Sequence, residues 1–90
     1  MNKKMTMLEQ IIEQYPEEKF MKADGFDDAI IGVEEKTMRL IYSVEKCLKT
    51  FVERDKMTID EAMEMFEYNV KGSYMGEKTP IWCEDNFLNI

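Results

Sequence analysis

Apolar residues recur along this chain with two different periods. Met7, Leu8, Ile11, Ile12 and Tyr15 fall on one side of a helix, and Glu9, Gln10, Glu13 and Gln14 lie opposite. Thr6-Met7-Leu8-Glu9 has the order of a capping box, in which the threonine oxygen takes the third amide and the glutamate returns to the threonine's own amide. The helix is predicted to start at Met7, and Pro16 to stop it. Residues 17–22 carry conflicting signals: Glu17-Glu18 suits a short helical turn and Phe20-Met21 an extended segment.

After the Asp24-Gly25 turn signal the period changes. Ala29-Ile30-Ile31-Gly32-Val33 is short and β-branched, Glu34-Glu35-Lys36 breaks it, and Met38-Arg39-Leu40-Ile41-Tyr42 follows, which predicts a β-hairpin. From the N-cap candidate Ser43, helical spacing returns at Val44, Cys47, Leu48, Phe51 and Val52. Thr58-Ile59-Asp60-Glu61 is a second capping box, and Ile59, Ala62, Met63, Phe66 and Val70 extend a third helix to about Lys71, with Met63 expected in the core. Gly72 or Gly76 is expected to supply a left-handed cap. Beyond Pro80, Ile81-Trp82-Cys83 suits a final edge strand, and the tail from Glu84, residues 85–90 above all, is expected to fray. The elements together predict one α+β domain over residues 1–90: a short antiparallel sheet, two adjacent amphipathic helices on one face, and an N-terminal helix.

Composition narrows the function classes. Nineteen acidic against twelve basic residues give a net charge of −7, which argues against tracking nucleic-acid phosphates or anionic lipid. With no histidine, the commonest general base and metal ligand is missing, so neither a catalytic residue nor a cofactor is expected. Two cysteines 36 positions apart make no disulfide framework, and nine methionines suit a reducing compartment; the expectation is cytoplasmic. No apolar run reaches a membrane span, and no signal-type core follows Met1–Met7. Cys47 lies on a buried stripe and reads as a small core residue.

Several positions could carry chemistry. Asp24, Asp27 and Asp28 around Gly25 read most simply as a solvated turn; hard-oxygen binding of a divalent cation is the alternative, although the spacing is not that of a calcium loop. Asn69 stands within the third helix's apolar stripe, where a buried amide needs partners: the neighbouring loop, or a ligand. Asp60, Glu61, Glu64 and Glu67 share the outward side of the same helix, and residues 59–75 set four carboxylates against one lysine. Such a row solvates a helix face; it also matches a basic groove on another protein. Tyr74 and Trp82 flank the polar turn Gly76–Pro80 and are a second candidate anchor, with core packing the competing use of Trp82.

The segments Ala23-Asp-Gly-Phe-Asp-Asp-Ala-Ile-Ile-Gly-Val33, Arg39-Leu-Ile-Tyr-Ser43, Glu67-Tyr-Asn-Val70 and Gly76-Glu-Lys-Thr-Pro-Ile81 together resemble a group of small proteins of tailed bacteriophages and prophages. The resemblance covers residues 15–82 in order and leaves the N-terminal helix, residues 1–14, outside it. It implies a phage-type setting and action within the bacterial host, and it brings no activity with it. The expectation from charge, missing nucleophile motifs and this setting is stoichiometric binding of a protein partner, one encoded by the host or its defences, through Asp60, Glu61, Glu64, Glu67, Tyr74 and Trp82. The alternatives are small-ligand or metal-dependent activity at Asp24, Asp27, Asp28 and Asn69, and a minor virion or assembly component.

Overall fold

The computed structural model describes residues 4–73 and 76–87, and shows an α+β domain of three helices and a three-stranded sheet. Helix α1 is Met7–Gln14, and its capping box is formed as the sequence predicts: Glu9 N–H donates to Thr6 Oγ1 at 3.1 Å, and Thr6 N–H donates to Glu9 Oε1 at 2.8 Å. Of the open segment 17–22, Glu17 lies in a single turn closed by Glu18 N–H donating to the Tyr15 carbonyl at 3.1 Å, and the chain from 18 to 23 runs without regular structure, with no strand at Phe20-Met21. Gly25 takes φ of +88° at the following turn, and a Cβ there would lie 3.1 Å from Arg54 Nη1, so a side chain is disfavoured twice. A 3₁₀ turn, Asp27–Ala29, leads into the hairpin.

Strands β1 (Ile30–Glu34) and β2 (Arg39–Ser43) pair antiparallel, with Val33 opposite Leu40 and Glu34 opposite Arg39. The register slips between Ile30 and Gly32, so Ile31 is an extra residue that bends the strand. The Glu34 carboxylate closes the turn by accepting from Thr37 Oγ1 at 2.6 Å and Thr37 N–H at 2.8 Å. These bonds, led by the hydroxyl, hold its pKa below the ordinary carboxylate value.

Strand β3 (Ile81–Cys83) lies at the edge, as expected, but pairs parallel to β2, with Ile41 opposite Ile81 and Tyr42 opposite Trp82. The sheet is therefore mixed, and the all-antiparallel expectation is corrected. Two helices intervene between β2 and β3, long enough for a crossover that brings the chain back to the same end of the sheet. Arg39 Nε donates to the Thr79 carbonyl at 2.6 Å, fixing that return, and buried Pro80 enters the strand where no amide is needed.

Helix α2 is Val44–Arg54, capped by Ser43 Oγ accepting from Lys46 N–H at 3.0 Å. Helix α3 is Ile59–Met65, with the predicted Thr58/Glu61 capping box. It continues into a wide turn, Phe66–Val70, closed by Lys71 N–H donating to the Phe66 carbonyl at 2.8 Å. No glycine caps it in the left-handed region: Gly76 has φ of +88° but opens a separate 3₁₀ turn, Gly76–Lys78.

The core joins Leu8 and Ile11 of α1 to Ile30, Leu40 and Tyr42 of the sheet and to Cys47, Leu48 and Phe51 of α2, while α3 adds only Ala62 and then Phe66. Alternation along β2 puts Leu40 and Tyr42 on the covered face and leaves Arg39 and Ile41 half-exposed. Met63, expected inside, is 48% exposed, and Ile59 is 52% exposed. The physical reason is the narrowness of α3's buried face: α2 and the sheet edge cover one side of it, and among the described residues no further layer reaches the other. The tail also departs from expectation. Asp85 accepts from Ser43 Oγ at 2.5 Å and from Glu45 N–H at 2.9 Å, so the chain is anchored at 85 and does not fray there. Residues 88–90 lie outside the described residues. Among the described residues, no helix is long and apolar enough to cross a membrane.

Candidate functional site

The surface of α3 follows from its capping box and its period. Thr58 fixes the first turn, and the 3.6-residue repeat then turns Asp60 and Glu64 away from the side held by Ala62; Glu67 follows, exposed, in the wide turn Phe66–Val70. All four predicted carboxylates are exposed. They are not equivalent. Glu61 Oε1 is committed to the cap, accepting from Thr58 N–H at 2.9 Å. Glu67 lies 3.8 Å from Lys71 Nζ, which also lies 3.3 Å from Glu84. Asp60 and Glu64 have no hydrogen-bonding or ionic partner among the described residues.

Beside this row the structure exposes apolar surface that periodicity had assigned to the core. Ile59 and Met63 stand at the edge of α3 and line, with Leu48 and Val52 of α2, a groove of about 480 Å³. The groove continues past Met63 into a smaller hollow of about 80 Å³ lined by Val44, Phe66, Glu67 and Glu84. The contribution of α2 was missed by sequence reasoning. One signal was present: two full apolar stripes joined by a short link carry more apolar width than one small sheet can cover.

The other candidates are placed differently. Trp82 is half-buried, its ring 5.2 Å from that of Tyr42 and 5.3 Å from that of Phe66, edge-on to the latter. It joins the sheet to the end of α3, a packing role inside the domain. Tyr74 lies outside the described residues. Asn69 is exposed; its amide meets Met65 Sδ at 3.0 Å, and Ser73 Oγ donates to its backbone carbonyl at 3.1 Å. The wide turn over Phe66–Val70 explains why it left the stripe: five residues per hydrogen-bonded turn swing Asn69 outward and keep Val70 against the core.

Asn69 lines a polar hollow of about 590 Å³ beside the Asp55–Met57 link, whereas Asp27 and Asp28 line a separate one of about 410 Å³ with Gly25 and Arg54. The predicted four-residue ligand set is therefore divided. The loop's negative charge is partly answered within the domain, because Lys22 Nζ lies 3.3 Å from Asp27 and Arg54 Nη1 donates to the Gly25 carbonyl at 2.8 Å. The Arg54 guanidinium also sits 5.7 Å over the Phe26 ring. Among the described residues, no group of three or more acidic or cysteine side chains is disposed to hold a metal ion. Cys47 is fully buried, and burial, with Asp85 adding to it, pushes its thiol up to about 12, which makes it inert as a nucleophile.

No protein-family model matches this chain, and no curated protein or solved structure matches it. What the fold and its surface define is a small α+β domain with exposed carboxylates and exposed apolar side chains together on α3.

Proposed function

We propose that this protein acts by stoichiometric binding of another protein through the outer side of α3, without catalysis. The observation that carries the reading is the adjacency of Asp60 and Glu64, carboxylates with no partner among the described residues, to the exposed apolar side chains Ile59 and Met63 on one short helix. Carboxylates steer a basic partner and set register, while apolar contacts supply the burial that keeps it bound. The absence of histidine and the inert Cys47 thiol support a non-catalytic role. The resemblance to small phage and prophage proteins supports a setting inside a bacterial host, where the partner is a host or host-defence factor.

The test is affinity capture of partners from bacterial cells by the full chain, with Glu64→Lys/Glu67→Lys beside it. A captured protein should bind one-to-one in calorimetry. The charge-reversed variant should associate more slowly, with a weaker salt dependence, and melt as the parent does, since exposed helix charges contribute only tenths of a kcal/mol to stability. Specific capture that is indifferent both to salt and to the double reversal would refute the role of α3.

A further inference from the structure

We propose that the α2–α3 groove receives an amphipathic helix with lysine or arginine along its flanks; this rests on the protein-binding reading and names the partner's chemistry. The floor carries Val44, Leu48 and Val52 on α2, with Ile59, Met63 and Phe66 on the α3 side, and Asn86 of the tail lines both the groove and the smaller hollow. Val44 to Val52 spans about 12 Å along the axis, so the floor matches just over two turns of a partner helix. The two helices are joined by only four residues, Asp55–Thr58, and the depression between a packed pair is where ridges of a third helix seat. Met63 and Ile59, about half exposed, are the side chains such a helix would cover, and methionine adapts its shape to whichever anchors arrive.

Charge decides between a basic and a neutral occupant. Glu45 and Glu53 border the groove on α2, and Glu67 and Glu84 border its far end; among the described residues Lys49 is the one basic side chain lining it. Lys71 approaches Glu67 and Glu84 from outside at 3.8 and 3.3 Å and answers part of that end's charge. Asp60 stands exposed next to Ile59, whereas Glu64 lines the separate polar hollow beside the Asp55–Met57 link. An apolar floor between acidic rims selects a helix with apolar anchors at i, i+3 or i+4 and i+7 and cations on either side, and it opposes an acidic one. The polar hollow beside the Asp55–Met57 link lacks such a floor, its lining being mostly charged or polar.

The probe is a fluorescein-labelled peptide about five turns long, leucine on one face and lysine on its flanks, titrated into the full chain by fluorescence anisotropy. Two controls accompany it: a scramble that breaks the apolar face, and a version with serine for leucine at equal charge. The expected result is saturable binding of the amphipathic peptide alone, with amide shifts in ¹H–¹⁵N spectra at Leu48, Val52, Ile59 and Met63. Met63→Glu and Val52→Glu should each weaken it at least about tenfold while the spectrum of the free protein stays folded.

Equal binding of the serine peptide, or indifference to both groove variants, would overturn the proposal. So would a concentration-dependent dimer that Met63→Glu dissolves, which makes a second copy the occupant. A gain of about tenfold on removing residues 87–90 would do the same, since the groove would then be filled by the chain itself. If the peptide fails while a cellular partner is still lost on Glu64→Lys/Glu67→Lys, the groove assignment falls and the protein-binding reading stands. If both fail, both fall.

Discussion

Asp85 is the residue whose removal tests the fold most sharply, because it binds the start of α2 from a position 42 residues away along the chain. Its carboxylate accepts from the Ser43 hydroxyl at 2.5 Å and from the Glu45 amide at 2.9 Å, while Ser43 itself caps Lys46 N–H at 3.0 Å. Hydrogen bonds to a charged group contribute about 1.5 to 3 kcal/mol each. Here the carboxylate is half-exposed and water can replace part of what it gives, whereas Ser43, 1% exposed, would keep a poorly solvated hydroxyl. Asp85→Ala should therefore cost about 2 kcal/mol, the upper end of helix-cap losses. For a domain of this size that is a fall in Tm of roughly 8 to 16 °C. Urea unfolding followed by circular dichroism measures it, and the m-value should not change.

The pH dependence gives an independent check. Burial pushes the Asp85 carboxyl up, but the Ser43 and Glu45 bonds outweigh it and leave the folded value below the ordinary one. A depressed carboxylate contributes in full above its unfolded value of about 3.9 and loses that contribution as pH falls through the lower folded value. The gap between parent and Asp85→Ala should thus be constant near neutrality and narrow below about pH 4. A double-mutant cycle with Ser43→Ala should return a coupling of about 1 kcal/mol. A loss under about 0.5 kcal/mol with a gap flat in pH would show that the tail is not bound as described and refute the reasoning.

Three further outcomes follow from the core. Tyr42→Phe removes the hydroxyl oxygen that accepts from Ala23 N–H at 2.8 Å in a buried site, and should cost about 1 to 3 kcal/mol by denaturant titration, as a stranded donor does. Phe66→Ala opens the contact with Trp82 at a residue 2% exposed, and should cost about 3 to 5 kcal/mol and red-shift the tryptophan emission; a loss below about 1 kcal/mol would place Phe66 outside the core. In the native protein at pH 8, thiol reagents should modify the half-exposed Cys83 first, and Cys47 only as fast as the domain opens; rapid labelling of both would contradict the burial.

Local chemistry in the sequence was enough to determine most of the elements. Two capping boxes, an N-cap serine and a change of apolar period placed α1, α2, α3 and the β1–β2 hairpin, because each of these signals acts over three or four neighbouring residues. The acidic row on α3 was legible for the same reason. Tertiary structure decided what depends on residues far apart. Whether β3 lies parallel or antiparallel is set by how the two-helix connection returns, and no residue within Ile81–Cys83 encodes it. Asp85 reads as tail until Ser43 is beside it, and the wide turn after Met65 moves Asn69 outward by a change of helical pitch. Ile59 and Met63 show the limit most plainly: a stripe records which side chains are apolar, but whether they meet a core or form the open wall of a groove depends on how much surface the neighbouring layers can cover.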